Sequence, residues 1–225
     1  MLWTEELFGV KKPILAMLHL DALPGDPRFR RGTPLGEIVE HARADLHALQ
    51  DGGVDGIIFS NEFSFPYQRK MDMVTPAAMA YIIGALRSEI RVPFGVDAIS
   101  DGAACLELAA AVGARYVRGT FSGVYVGDGG LYNNDFSALL RRKAALPLDD
   151  LKMLYFINPE SDRNLDTRPL ACGFYDVQGR PGRAVYLGQR GGHGCGRGAD
   201  RIGQGRKSRG RRPVQHRLPA GHHRP

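Results

Sequence analysis

The sequence predicts an α/β protein whose leading form is an incomplete (β/α)8 TIM-type barrel of about five βα units. Short apolar runs with the length of buried strands alternate with segments whose apolar residues recur at helical spacing. The strands are mostly apolar and do not alternate between apolar and polar residues, which is typical of a parallel sheet covered by helices. Polar residues and a loop follow each run, and barrels present their chemistry at such strand ends.

The predicted strands begin near residues 13, 55, 93, 115 and 152, and they are Pro13–Leu20, Asp55–Ser60, Pro93–Ala98, Arg115–Gly119 and Lys152–Ile157. Helices are predicted between them from cap and periodicity signals, starting at Thr33-Pro34, Thr75-Pro76, Asp101 and Asn134. The segment Thr120–Gly130 is predicted to be a loop. An open doubly wound sheet is the alternative, although no GxGxxG follows the first strand, which counts against a dinucleotide-binding Rossmann unit.

The basic charge belongs to the C-terminal part of the chain. The net charge is +6, but residues 171–225 hold 11 Arg, one Lys and two Asp and contribute +10, which leaves −4 for residues 1–170. The same tail holds 13 of the 29 glycines and has no helical periodicity. It would bury too little apolar surface to offset chain entropy, so we expect it to be disordered. The sequence thus predicts a partial barrel domain (1–170) and a Gly/Arg-rich tail (171–225).

Two origins of the tail are open, a nucleic-acid-binding arm and a shifted reading frame. Arg and Gly could neutralise phosphates, but no interleaved aromatic residues accompany them, and we expect no specific nucleic-acid binding. When Val214–Pro219 is back-translated and read from the second base of the Gln215 codon, it can give Asn-Thr-Gly-Cys-Arg, which resembles the end of a late barrel strand. The sequence therefore favours a lost or frame-shifted C-terminal part, and nucleotide sequencing around codon 171 would test this.

Three further features indicate the class of protein. No apolar run approaches the roughly 18–20 residues that span a bilayer, so membrane association is expected to be peripheral at most. Glu5 and Glu6 stand where a signal peptide carries positive charge, which predicts a cytoplasmic protein. The cysteines are too widely spaced for a disulfide framework or a metal clip: Cys105, Cys172 and Cys195.

Polar side chains lie at the ends of all five predicted strands, and in a barrel these strand ends face one pocket. In chain order they are His19, Asp21, Asn61, Glu62, Asp97, Arg118, Asn158 and Glu160. A His, several carboxylates and an Arg are suitable for general acid–base chemistry on a polar substrate. We predict a catalytic set of His19, Asp21, Glu62 and Asp97. We predict a substrate-binding set of Asn61, Arg118 and Asn158.

Each of these residues also has a purely structural interpretation. His19 could bond to a loop carbonyl, and Asp21 could cap its turn. Arg118 could form an ion pair with Asp97 or Glu62 instead of binding an anion.

A metal or phosphate site is a further possibility that the residues leave open. His19 and the three carboxylates could hold a divalent cation, but His19-Leu20-Asp21 lacks the paired histidines that begin metal-dependent hydrolase barrels, and no metal is predicted. Gly127–Gly130 could cradle a phosphate, although a flexible turn is favoured. The residues identify neither a particular cofactor nor a particular oligomeric state, so the cofactor is unknown at this stage.

Five segments resemble the BtpA/SgcQ family: Pro13–Pro27 (PILAMLHLDALPGDP), Ser60–Tyr67 (SNEFSFPY), Phe94–Asp97 (FGVD), Val117–Gly123 (VRGTFSG) and Tyr155–Glu160 (YFINPE). The Ser-Asn-Glu-Phe form after the second strand is closest to the SgcQ-like branch. The resemblance covers about residues 5–170 and implies a TIM-type barrel related to ribulose-phosphate-binding barrels. The Ser-Gly and Asn-Thr-Gly segments of the family's last strands are absent in frame.

The resemblance leaves two functions open. One branch is found among sugar-uptake and metabolism genes, which implies an enzyme that acts on a small polar or phosphorylated sugar-like metabolite. The other branch is named for photosystem I biogenesis, which implies a non-catalytic accessory factor for a membrane protein complex. A third possibility concerns this chain alone: without its last strands it would be inactive, because its first and fifth strands would be open, aggregation-prone edges.

Overall fold

The structure is a computed structural model that describes residues 2–127, 129–156, 159 and 162–165. The described helices are α1 (Trp3–Phe8), α2 (Leu35–Asp51), α3 (Val74–Leu86), α4 (Gly102–Val112) and α5 (Phe136–Ala144). The described strands are β1 (Leu15–His19), β2 (Gly56–Ser60), β3 (Phe94–Asp97), β4 (Tyr116–Gly119), β5 (Val124–Gly127), β6 (Gly130–Asn133), β7 (Lys152–Tyr155) and β8 (Arg163–Asn164).

The main sheet has five parallel strands in the order β1-β2-β3-β4-β7. Each strand lies beside the strand of the preceding βα unit, so the strand order follows the chain without reversal. A doubly wound sheet reverses its strand order near the middle, and the described sheet does not. The α/β fold class and the alternation of strands and helices are therefore confirmed.

The two faces of this sheet carry different cores because side chains alternate along a strand. Ile57, Phe59 and Val96 point to the larger core, which the sheet forms with α2, α3 and α4. The opposite face carries Ile58, Tyr116 and Leu154 together with Trp3 of α1. We call this second face the inner face. Helix α1 was not predicted from the sequence.

Glycines allow one large ring to lie flat on the inner face. A Cβ atom at Gly95 would come within 2.5 Å of the Tyr116 ring, and one at Gly56 would come within 2.8 Å of its hydroxyl oxygen. The Tyr116 hydroxyl donates a hydrogen bond to the carbonyl oxygen of Ile57 (2.8 Å). This ring and Phe8 of α1, in edge contact with it at 5.5 Å, form an apolar layer on the inner face.

The prediction of a loop over Thr120–Gly130 is wrong. The segment contains β5, which pairs with β6 in an antiparallel hairpin that has Val126 opposite Leu131. Asp128 is outside the described residues, but Gly127 pairs with Gly130, whose φ of +88° is typical of a tight turn rich in glycine. The alternation of Val and Tyr in this segment is a strand signal that its glycines obscured.

Two cap signals were only approximately correct. Helix α2 begins one residue after Pro34, and Thr33 does not cap it but accepts a hydrogen bond from Arg30. Helix α3 begins at Val74, so Thr75 lies inside its first turn. Differences of one or two residues are normal at helix ends.

The predicted tail, residues 171–225, lies outside the described residues. None of the described helices is both long enough and apolar enough to cross a membrane.

Candidate functional site

A row of four polar side chains lies on the inner face at the carboxyl ends of neighbouring strands. His19 of β1 is in register with Ser60 of β2, and Ser60 is in register with Asp97 of β3. Arg118 of β4 follows Tyr116 by two residues and therefore shares its face. Four adjacent strands thus bring these residues together at one end of the sheet. We call this set the polar row.

Buried Asp97 and partly buried Arg118 form an ion pair within the row. The guanidinium Nε donates to Oδ2 of Asp97 over 2.8 Å, and the two side chains are 17% and 2% exposed. Arg118 is held on two further sides, by the Met17 sulfur 3.0 Å from Nη1 and by the Phe156 ring, whose centroid is 4.6 Å from the guanidinium carbon. This packing gives the cation a defined position.

Burial raises the pKa of Asp97 to about 6, although the charge and the hydrogen bond of Arg118 oppose the rise. Glu62 contributes to the rise as a nearby negative charge. The carboxyl group therefore changes its protonation state near neutral pH, as groups with a role in proton transfer commonly do.

His19 lies at the open end of the row. Its Nδ1 atom is 2.8 Å from the hydroxyl oxygen of Ser60 and 3.8 Å from Oε2 of Glu62. The imidazole is 40% exposed and the Glu62 side chain 42% exposed, whereas Ser60 is fully buried. The Tyr67 hydroxyl donates to the backbone carbonyl of Glu62 (3.0 Å), which anchors the loop that carries this carboxylate. A solvent-accessible imidazole and carboxylate thus stand beside the partly buried ion pair.

Asn61 is buried and holds the loop after β3. Its Oδ1 atom accepts a hydrogen bond from the backbone N–H of Ile99 over 2.9 Å. The contact ties the end of β2 to the segment that follows Asp97.

Asp21 pairs with a histidine outside the polar row. Its carboxylate is 2.7 Å from Nδ1 of His41 on α2, and this contact raises the pKa of His41. Asp21 also lines a separate cleft of about 370 Å³ with Arg28, Arg30 and Phe63. Asn158, the last predicted site residue, lies outside the described residues, and so does Glu160.

No three His, Cys, Asp or Glu side chains are arranged to hold a metal ion in the part of the chain that the structure describes. Gly129 and Gly130, in the predicted phosphate-cradle segment, form part of the hairpin turn. Their carbonyl oxygens accept hydrogen bonds from the Arg69 guanidinium over 3.1 and 2.8 Å.

Sequence reasoning missed two partners of the predicted residues. Ser60 was placed at the end of a strand but given no role, and only the register of β1 with β2 brings it to His19. His41 lies on the predicted second helix, 20 residues from Asp21, and no spacing rule links a loop residue to a distant helix position. The one sequence signal that could have identified Ser60 is that it is a polar residue at the end of an apolar strand, next to the predicted site residue Asn61.

The chain is similar to several proteins of known sequence. It is 42% identical over 170 residues to the putative sgc region protein SgcQ of Escherichia coli, covering 76% of this chain and 63% of that protein. It is 32% identical over 175 residues to the photosystem I biogenesis protein BtpA of Synechocystis, covering 76% and 60%. The chain thus spans about three-fifths of the length of these two relatives.

A more distant relative and a solved structure are also similar. An uncharacterized protein of Pyrococcus furiosus is 29% identical over 195 residues, covering 81% of this chain and 73% of that protein. The crystal structure of 7,8-dihydropteroate synthase from Vibrio fischeri superposes with a TM-score of 0.46 at 15% identity, over 71% of this chain and 50% of that one. The sequence profile of the BtpA family matches residues 10–194. Because this match covers most of the sequence, the chain belongs to the BtpA family.

Proposed function

We propose that this protein is an enzyme that binds a small polar metabolite, sugar-like or phosphorylated, at the polar row. The observation that carries the proposal is the partly buried Asp97–Arg118 pair next to the His19–Ser60 contact at the carboxyl ends of β1–β4. Burying charged groups costs free energy, and the inner face beside the row carries the apolar side chains of Ile58, Tyr116 and Leu154. A polar set at this end of the sheet is typical of the catalytic end of βα barrels.

His19 and Glu62 are the groups that we assign to acid–base chemistry. Both are solvent-accessible and their nearest polar atoms are 3.8 Å apart, so one ligand can reach both. Asp97 is less suited to direct contact because it is buried and engaged by Arg118. Glu62 is therefore the better carboxylate partner for His19.

Arg118 is the group that we assign to an anionic part of the ligand. Its charge is balanced by Asp97 while that carboxyl group is ionised. Because the pKa of Asp97 is raised to about 6, protonation below that pH releases the positive charge of Arg118. An anionic ligand should therefore bind more tightly as the pH falls through 6.

The relatives give each function only indirect support. The Escherichia coli relative is named for the sgc region, and the Synechocystis relative is named for photosystem I biogenesis. The accessory-factor alternative rests on that second name, whereas the enzyme proposal also has the geometry of the polar row.

Thermal unfolding of the full chain with and without ligand tests the proposal. We expect at least one member of a panel of sugar phosphates to raise the Tm, because a ligand at 100 times its Kd stabilises the folded state by about 2.7 kcal/mol. The same measurement with free sugars and with inorganic phosphate shows how much of the rise in Tm comes from the sugar ring and how much from the phosphate group.

Two substitutions locate the binding site. Arg118→Met should remove the ligand-induced rise in Tm, whereas Arg91→Met should keep it, because Arg91 is an exposed arginine paired with Asp51. The proposal fails if no compound of the panel raises the Tm, or if Arg118→Met responds like the unsubstituted chain.

A further inference from the structure

The hydrogen bond between His19 and Ser60 has one favoured direction of donation, from the serine hydroxyl to the imidazole. Ser60 is fully buried, and the one hydrogen-bond partner of its hydroxyl group among the described residues is Nδ1 of His19, at 2.8 Å. A buried hydroxyl whose proton finds no acceptor costs about 1–3 kcal/mol. The contact satisfies that proton only if Ser60 donates and Nδ1 accepts.

This direction determines where neutral His19 carries its own proton. An imidazole whose Nδ1 accepts a hydrogen bond has its proton on Nε2. Nε2 of His19 has no partner in the part of the chain that the structure describes, and the ring is 40% exposed. The atom available to a ligand is therefore an N–H donor and not a lone pair.

Glu62 is the other group that could form a hydrogen bond with Nδ1 of His19, but Ser60 occupies that atom. Its Oε2 atom is 3.8 Å from Nδ1, which is beyond hydrogen-bonding distance but close enough for a small side-chain movement to close. If Glu62 accepted a hydrogen bond from Nδ1–H, the proton of neutral His19 would move to Nδ1. Nε2 would then present a lone pair to the ligand.

We infer that Ser60 is a positioning residue that holds His19 with its proton on Nε2, so that His19 acts on a ligand oxygen as a hydrogen-bond donor and Glu62 is left free as the proton acceptor. Neutral His19 is then the acid of the pair, and it polarises the ligand oxygen through the hydrogen bond that Nε2–H donates. The Glu62 carboxylate takes up the proton that the ligand loses. The roles toward a ligand rest on the proposed function, but the tautomer of His19 does not.

Long-range 1H–15N NMR of the full chain at alkaline pH distinguishes the two tautomers directly. The chain has seven histidines, and the His19 signals are identified by their loss in His19→Gln. We expect unsubstituted His19 to be mostly Nε2–H. Ser60→Ala should convert it to mostly Nδ1–H, because Glu62 is then the nearest acceptor.

Two histidines provide internal references in the same spectra. His41 places Nδ1 at 2.7 Å from the Asp21 carboxylate and should be Nδ1–H, whereas His47 places Nε2 at 2.8 Å from the Glu89 carboxylate and should be Nε2–H. Neither contacts Ser60, so both sets of signals should be unchanged in every Ser60 variant. Unchanged references also show that the variant is folded.

Further variants separate the role of the hydroxyl group from that of packing. Ser60→Thr keeps a hydroxyl group and should retain the Nε2–H form. Ser60→Ala/Glu62→Ala should return to Nε2–H, because no carboxylate then faces Nδ1.

An Nδ1–H signal for His19 in the unsubstituted chain, or an unchanged tautomer in Ser60→Ala, would overturn the inference. The spectra are recorded without ligand, so a failure of sugar phosphates to bind would overturn the proposed function and leave this result intact.

Discussion

Asp97 is a buried carboxyl group whose ionisation opposes folding. Its pKa is raised from 3.8 to about 6 in the folded protein, mainly because burial disfavours the charged form. Between these two values the folded state holds a proton that the unfolded state has lost. The unfolding free energy must therefore fall as the pH rises through this window.

Asp97→Asn should remove that part of the pH dependence. One pKa unit corresponds to about 1.4 kcal/mol, and the change from 3.8 to about 6 gives an upper limit of about 3 kcal/mol between pH 4 and 7. We expect the unsubstituted chain to lose up to this amount relative to Asp97→Asn. Urea unfolding of both proteins over this pH range measures the difference.

A matched control isolates the effect of burial. Asp51 forms an exposed ion pair with Arg91, and its side chain is 70% exposed. Asp51→Asn should leave the pH dependence nearly unchanged, because exposed pairs contribute little to stability. Parallel pH profiles for Asp97→Asn and the unsubstituted chain would show that the pKa of Asp97 is not raised.

The β5–β6 hairpin is held to the loop after β2 by one arginine. The Arg69 guanidinium donates to the carbonyl oxygens of Gly129 and Gly130 and lies over the Tyr132 ring, whose hydroxyl is 2.8 Å from that of Ser100. These contacts connect the loops that follow β2, β3 and β4 at the same end of the sheet as the polar row.

Arg69→Met should loosen the hairpin without unfolding the sheet. The substitution removes two hydrogen bonds from a charged donor, each worth about 1.5–3 kcal/mol, and both lie outside the main core. We expect faster amide hydrogen exchange at residues 124–133 and little change at β2 and β3.

Arg142→Met is the matched control for Arg69→Met. Arg142 is an exposed arginine that pairs with Glu107 on α4, and its substitution should leave exchange in the hairpin unchanged. Equal exchange rates in Arg69→Met and in the unsubstituted chain would refute the role of this contact.

The elements that the sequence predicted well are those whose signals are local. The five parallel strands are largely apolar segments, and Asp101 caps α4 as expected, with its carboxylate accepting from the backbone N–H of Ala104 (3.0 Å). The hairpin was missed because glycines lie in and beside both of its strands, at Gly123, Gly127, Gly129 and Gly130. Short strands of this kind gain their stability from contacts such as that of Arg69, which a sequence pattern does not contain.

The sequence predicts which residues lie at the strand ends of the candidate site. It does not predict which of their side chains contact one another. His19, Asp97 and Arg118 were identified because parallel strands bring their carboxyl ends to one edge. Whether Asp21 faces this edge or α2 depends on how a loop turns after β1, and the structure pairs it with His41. Tertiary geometry of this kind also gave Ser60 its contact with His19.

The main sheet, in the part of the chain that the structure describes, has two strands that each pair on one side only. Within the described residues, β1 pairs with β2 and β7 pairs with β4, and neither has a second neighbour in the main sheet. An unpaired strand exposes backbone N–H and C=O groups that can pair with another chain. Strand β1, Leu15–His19, carries no Lys, Arg, Asp or Glu, the charged side chains that commonly protect an edge. The exposed Ile14 side chain lies directly before it.

We expect the purified 225-residue chain to self-associate, with an average mass that rises with concentration in light scattering. Ile14→Lys should lower this association, because a charge next to β1 disfavours edge pairing and the side chain it replaces is 64% exposed. Met73→Lys is the matched control, since Met73 is 87% exposed and lies outside β1 and β7. A chain that stays monomeric at all concentrations and unfolds in one cooperative transition would show that neither edge is open to pairing.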